Sequence, residues 1–62
     1  MCLATAMVNR SGNETVLAKN ISTIRVEGNS VVMTDILGEE FVVEGSLISA
    51  DLVNGVVKVL VA

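Results

Sequence analysis

Turn-forming residues interrupt this chain at short intervals: Ser11-Gly12-Asn13, Gly28-Asn29-Ser30, Gly38-Glu39 and Asn54-Gly55. Between them lie short runs rich in β-branched residues, and there is no proline anywhere. Short β-branched segments separated by such turns read as an all-β barrel or sandwich.

The runs can be placed one by one. In a strand over Cys2 to Arg10, Cys2, Ala4, Ala6 and Val8 share one face, and Leu3, Thr5, Met7 and Asn9 the other. Glu14 to Ala18 is a second short strand, with Val16 and Ala18 on one side, and Asn20 to Ser22 reads as a connection. Thr23 to Glu27 alternates, with Ile24 and Val26 inward. Gly28-Asn29 supplies the positive φ of a tight hairpin. Val31 to Ile36 returns, Gly38 closes the next hairpin, and Glu40 to Glu44 pairs back with Phe41 and Val43 facing the core. Gly45 to Val53 fits either one helical turn or a strand end with a loop. Val56 to Val61 is apolar except for Lys58, which predicts a strand covered on both faces. Residues 1–62 should therefore form one domain, a small SH3-like barrel of about six short antiparallel strands. Closure would also remove exposed sheet edges.

A chain of 62 residues is near the lower limit for folding alone. Such a domain buries only about 60% of the surface of its unfolded chain. Small scaffolds usually add disulfides, a metal or a partner. Cys2 is the only cysteine, so an internal disulfide is excluded. Hydrophobic residues make up 52% of the chain, and Phe41 is the only aromatic. Some of that apolar surface must face outward, where a contiguous patch marks an interface. A homodimer is the expectation, as two-fold dimers are the commonest oligomers.

Charge narrows the function classes. Four basic residues, Arg10, Lys19, Arg25 and Lys58, are scattered against seven acidic ones, for a net charge of −3. Nucleic-acid binding needs cations that displace phosphate counterions, and there is no Trp or Tyr to stack on bases. An acidic chain is not drawn to anionic lipid, and no run reaches the roughly 18 apolar residues of a membrane span. No cationic-then-apolar leader stands at the start. A free thiol fits a reducing compartment, so a cytoplasmic location is expected. Asn13-Glu14-Thr15 and Asn20-Ile21-Ser22 match the glycosylation sequon and are read as chance.

Catalysis finds little support. Without histidine there is no Ser-His or Cys-His pair. Asp35, Glu39 and Glu40 form an acidic cluster that reads as a solvated hairpin tip, against the alternative of a hard-cation site. Met7 and Met33 read as packing. We expect no enzyme.

Cys2 stands apart by position. It can be a small apolar side chain buried on the first strand. Alternatively its thiolate, its own amide nitrogen, the preceding carbonyl and the terminal amine can close small chelate rings on one metal. One chain still offers few ligands, and a two-fold axis near Cys2 would double them. Planar sulfur–nitrogen ligation suits Ni(II) or Cu(II), while tetrahedral sulfur sites suit zinc or iron–sulfur. Structural zinc takes four Cys or His ligands, and a dimer here brings two thiolates.

Met1-Cys2, Ala4, the Gly28 hairpin, Asp35-Ile36, Gly38-Glu39, Gly45 and Asp51-Leu52 resemble the CooT family, very small proteins some of which are associated with carbon monoxide dehydrogenase maturation. Met-Cys at the start is the most specific part of the match. The resemblance implies an SH3-like barrel that dimerises and binds Ni(II). By resemblance, Cys2 is the nickel ligand, with one ion shared between two Cys2 thiolates and backbone nitrogens as co-ligands. The resulting expectation is a Ni(II)-binding homodimeric accessory protein or metal carrier with a nickel-enzyme maturation partner. Its rivals are an interaction module with an inert cysteine and an RNA-binding barrel.

Overall fold

The structure is a computed structural model in which residues 3–62 are described. These residues form five strands: β1 (Ala4–Arg10), β2 (Asn13–Glu27), β3 (Ser30–Asp35), β4 (Glu40–Asp51) and β5 (Val56–Val61). Each strand pairs with the next, and β5 returns to β1, so the sheet closes on itself as a ring. The expected all-β barrel forms, and its details differ from the sequence reading in ways that physics explains.

The strand count is five rather than six because the second and third runs are one strand. β2 carries three extra residues where it changes partner. Its register with β1 slips between Ala6↔Ala18 and Met7↔Val16, and again between Ala4↔Ile21 and Ala6↔Ala18. The register with β3 slips between Ile21↔Asp35 and Thr23↔Thr34. Such bulges bend a strand without ending it. Asn20 sits in the bend with φ of 60°, a left-handed conformation that asparagine tolerates better than most residues. Residues 20–22, expected as a connection, are therefore the corner of a strand. Ile21 is part of the core.

Five sequential antiparallel strands have a necessary consequence. With an odd count, the first and last strands point the same way. The closing pair is accordingly parallel, from Thr5↔Val56 to Asn9↔Leu60, while the other four pairings are antiparallel. A parallel pair needs a long crossover, and here the whole β2–β4 meander supplies it.

The core consists of Ala6, Val8, Ile21, Val31, Met33, Val43, Val57 and Val59, with Ala4, Leu17, Ala18, Ile24, Phe41 and Val61 packed against it. The alternation of β1, Ile24 in β2, Phe41 and Val43 in β4, and the packing role of Met33 follow the sequence pattern. Val16 does not join Ala18 on the inner side, because the extra residue at Leu17 turns Val16 outward and exposed. Val26 is 57% exposed although its alternation points inward, because it lies next to the Gly28 hairpin. Gly45 to Val53 takes the strand-and-loop alternative: β4 runs to Asp51, and a turn follows. In β5, Val57 and Val59 are fully buried, but Leu60 on the outer face is 46% exposed. The double covering expected for this strand is not supplied by the described residues.

The turns obey local chemistry. Ser11 and Gly12 both have positive φ, and the Asn9 side chain accepts the Gly12 N–H at 2.9 Å. Gly28 has φ of 58° at the first turn position between β2 and β3, as the hairpin requires. Gly45 is not a turn glycine. It stands within β4, at the corner where the strand leaves β3 for β5.

Candidate metal centre

Met1 and Cys2 lie outside the described residues, so the site is built from what leads up to it. β1 begins at Ala4, whose small side chain packs on the core beside Ile21. The Thr5 N–H donates to the Gly55 carbonyl at 2.8 Å. Gly55 has φ of 68°, and a Cβ there would meet the Leu3 carbonyl oxygen at 3.2 Å. The start of β1 is thus held between the bend of β2 on one side and the turn before β5 on the other.

A second turn lies on the far side of the β2 bend. The Ile36 N–H donates to the Asn20 carbonyl at 2.9 Å, which ties the β3–β4 turn to the bend of β2. Residues 3–5 thus adjoin the turn at 52–55 directly, and the turn at 36–39 through the β2 bend, a relationship that strand alternation alone does not reveal.

The carboxylates are mostly committed to structure. The Asp35 Oδ1 accepts the N–H groups of Leu37 and Glu39, each at 2.9 Å. The Asp51 Oδ1 accepts those of Val53 at 3.1 Å and Asn54 at 3.0 Å, and its Oδ2 accepts the Asn54 side-chain amide at 2.8 Å. The Asn54 backbone N–H, then its side chain, hold the Asp51 carboxyl below its ordinary value. Glu44 accepts the Ser30 hydroxyl at 2.6 Å, Glu27 pairs with Arg25, and Glu14 lies 3.6 Å from the Lys58 ammonium. The last pair crosses over β1 from β5 to β2 and gives Lys58 its partner within an otherwise apolar strand. Of the acidic cluster in the sequence, Asp35 is a turn cap.

Among the described residues, no three His, Cys, Asp or Glu side chains converge as a metal site would need. Nor do those residues enclose a ligand-sized cavity. Glu14, Glu27, Asp35, Glu44 and Asp51 stand where turns, hydrogen bonds and ion pairs use them. No described helix is long and apolar enough to cross a membrane.

A small closed all-β domain with an unassigned thiol two residues before its first strand is a class of protein that the comparisons resolve. The family model described as "CO dehydrogenase accessory protein CooT" matches residues 1–60, and the chain belongs to the CooT family. Its fold is that of a crystal structure described as a CooT from Carboxydothermus hydrogenoformans, with a TM-score of 0.86. That match covers 98% of each chain at 15% identity. At this identity the likeness speaks for the fold. No curated protein sequence matches the chain.

Proposed function

We propose that this protein is a Ni(II)-binding homodimer that acts as an accessory protein or metal carrier for a nickel enzyme. The family match carries the reading: it spans residues 1–60, and the family is named for accessory function to CO dehydrogenase. The chemistry of the chain supports the rest. Cys2 is the only thiol in a histidine-free chain, so a soft or borderline metal has one side-chain anchor per protomer. Two thiolates and flanking backbone nitrogens, brought together in a dimer, make a planar donor set suited to Ni(II). Ni(II) is cargo in this reading, and an accessory role accords with carboxylates bound up in turns and pairs. Binding strengthens as pH rises, because the thiol and the amides must lose protons.

The test is a nickel titration of the protein and of Cys2→Ser, followed by thiolate-to-nickel charge-transfer absorbance. The expected result is one nickel per two chains with a charge-transfer band in the protein and neither in the variant. Equal binding by both would overturn the proposal. The interaction-module reading predicts no metal above background in either.

A further inference from the structure

Asn54-Gly55 is the only asparagine–glycine step in the chain; the other asparagines precede Arg10, Glu14, Ile21 and Ser30. The side-chain amide of an asparagine can be attacked by the backbone nitrogen of the residue after it. A side chain on that residue hinders the approach, and glycine has none. Asn54 is exposed, in the turn between β4 and β5. The same turn anchors the start of β1. The Gly55 carbonyl accepts the Thr5 N–H at 2.8 Å, and Val56, the next residue, pairs with Thr5.

The Asp51 carboxylate holds this asparagine at two points. Its Oδ1 accepts the Asn54 N–H at 3.0 Å, and its Oδ2 accepts the side-chain amide at 2.8 Å. Asp35 caps the β3–β4 turn through two backbone N–H groups alone. Capping therefore needs only the Oδ1 bonds, and the Oδ2 bond to the Asn54 side chain is an addition. That bond draws the amide toward residue 51, on the side away from the nitrogen that would attack it. The carboxylate charge also disfavours the deprotonated nitrogen that is the nucleophile, since like charges oppose each other.

We propose that Asn54-Gly55 is a self-modification site, restrained by Asp51, whose product releases the start of β1. The Gly55 nitrogen gives its proton to hydroxide and attacks the Asn54 Cγ. The new N–Cγ bond closes a five-membered succinimide as the Cγ–Nδ2 bond breaks, and Nδ2 leaves as ammonia with a proton from water. Water then opens the ring. Addition at Cγ breaks the new bond and gives aspartate in a normal chain. Addition at the Asn54 backbone carbonyl breaks the original peptide bond and gives isoaspartate, with the chain running through Cβ and Cγ. Water is consumed, ammonia is released, and no oxidant or reductant takes part. Isoaspartate adds one atom to the main chain, about 1.5 Å, between the Asp51 cap and Gly55. The Gly55 carbonyl then no longer stands where the Thr5 N–H meets it.

The experiment is incubation of the full chain at mildly alkaline pH, followed by peptide mass spectrometry and an isoaspartyl methyltransferase assay. Asn54 is expected to convert before Asn9, Asn13, Asn20 and Asn29, and Asn54→Gln to give no methyl acceptor at that position. Asp51→Ala, with an unchanged circular dichroism spectrum, is expected to convert about tenfold faster, the usual effect of losing a hydrogen bond to a charged group. If Asp51→Ala loses the spectrum, Asp51→Asn is read in its place, because it keeps an oxygen for the two backbone N–H groups. The isoaspartyl fraction, separated by ion exchange, is expected to show faster hydrogen exchange at the Thr5 amide, with the amides of β3 less affected. Asn54→Asp carries the same charge on a normal chain and is expected to change Thr5 less. Conversion of another asparagine while Asn54 stays intact overturns the proposal. So does a folded Asp51 variant that converts no faster, or an isoaspartyl fraction whose Thr5 amide is affected no more than those of β3.

Discussion

Gly45 and Leu60 meet backbone to backbone where β4 turns its corner. A Cβ at residue 45 would overlap the Leu60 carbonyl oxygen and stand 2.9 Å from its carbonyl carbon and 3.0 Å from the Val61 Cα. The atoms in the way belong to β5, whose position is fixed by pairing on both sides. Gly45→Ala is therefore expected to cost at least about 1–3 kcal/mol, the usual range for overpacking a close-fitted interior. Urea denaturation of the variant against the unmodified protein measures it.

Met33 is fully buried, the largest such side chain among the described residues. Met33→Ala should lose about 2–5 kcal/mol, whereas Met33→Leu, which keeps the volume, should lose less than about 1.5 kcal/mol. A domain of this size is stable by only about 3–9 kcal/mol in all. The alanine variant should thus be largely unfolded at temperatures where the leucine variant gives a sharp melting transition.

Asn20 holds a left-handed conformation at the bend of β2, and its carbonyl accepts the Ile36 N–H. Asn20→Gly keeps both features and should leave the melting temperature almost unchanged. Asn20→Val should cost about 1–2 kcal/mol, because a β-branched side chain crowds the following carbonyl in that region. Comparing the two variants by thermal denaturation separates backbone conformation from any role of the side chain.

Asp51 contributes to the acid limb of stability. Its carboxyl is held below 3.8 chiefly by the Asn54 N–H and then the Asn54 side chain, which outweigh an opposing effect of desolvation, with a lesser contribution from the Val53 N–H. A depressed carboxyl stabilises the fold above its unfolded value and loses that contribution as pH falls through the folded one. Stability should accordingly drop below about pH 4 in the unmodified protein, and the drop should be shallower in Asp51→Asn. Nuclear magnetic resonance titration of the Asp51 carboxyl carbon should find its midpoint below 3.8.

Glu14 and Lys58 are both partly exposed and 3.6 Å apart. A double-mutant cycle with Glu14→Gln and Lys58→Met should find a coupling of about 0.2–1 kcal/mol, shrinking as salt is added.

The barrel was legible because period-two alternation and turn glycines are local signals, and β1 and β5 follow the alternation. The corners were not. At residues 17–22 the extra residues of β2 break alternation, so Val16 and Ile21 exchange their expected places. Gly45 looks in sequence like any other glycine, and only the crossing of β4 and β5 reveals why no side chain fits there. At the site, the thiol itself is a sequence feature. The turn at 52–55 meets residues 3–5 through pairings between distant parts of the chain. Asp35 reads as a solvated hairpin tip until the hydrogen bonds to the amides of its own turn are seen.

The parallel seam between β1 and β5 also sets an order of events in folding. It joins Thr5 to Val56, so the ring can close only when nearly all of the chain is available. The hairpins between neighbouring strands close over far fewer residues and lose less entropy in forming, whereas contacts remote in sequence form slowly. On a ribosome, the segment made first finds β2 early and gains its second neighbour, β5, last. Residues 3–5 must wait for Gly55 and Val56 to emerge before their surroundings are complete.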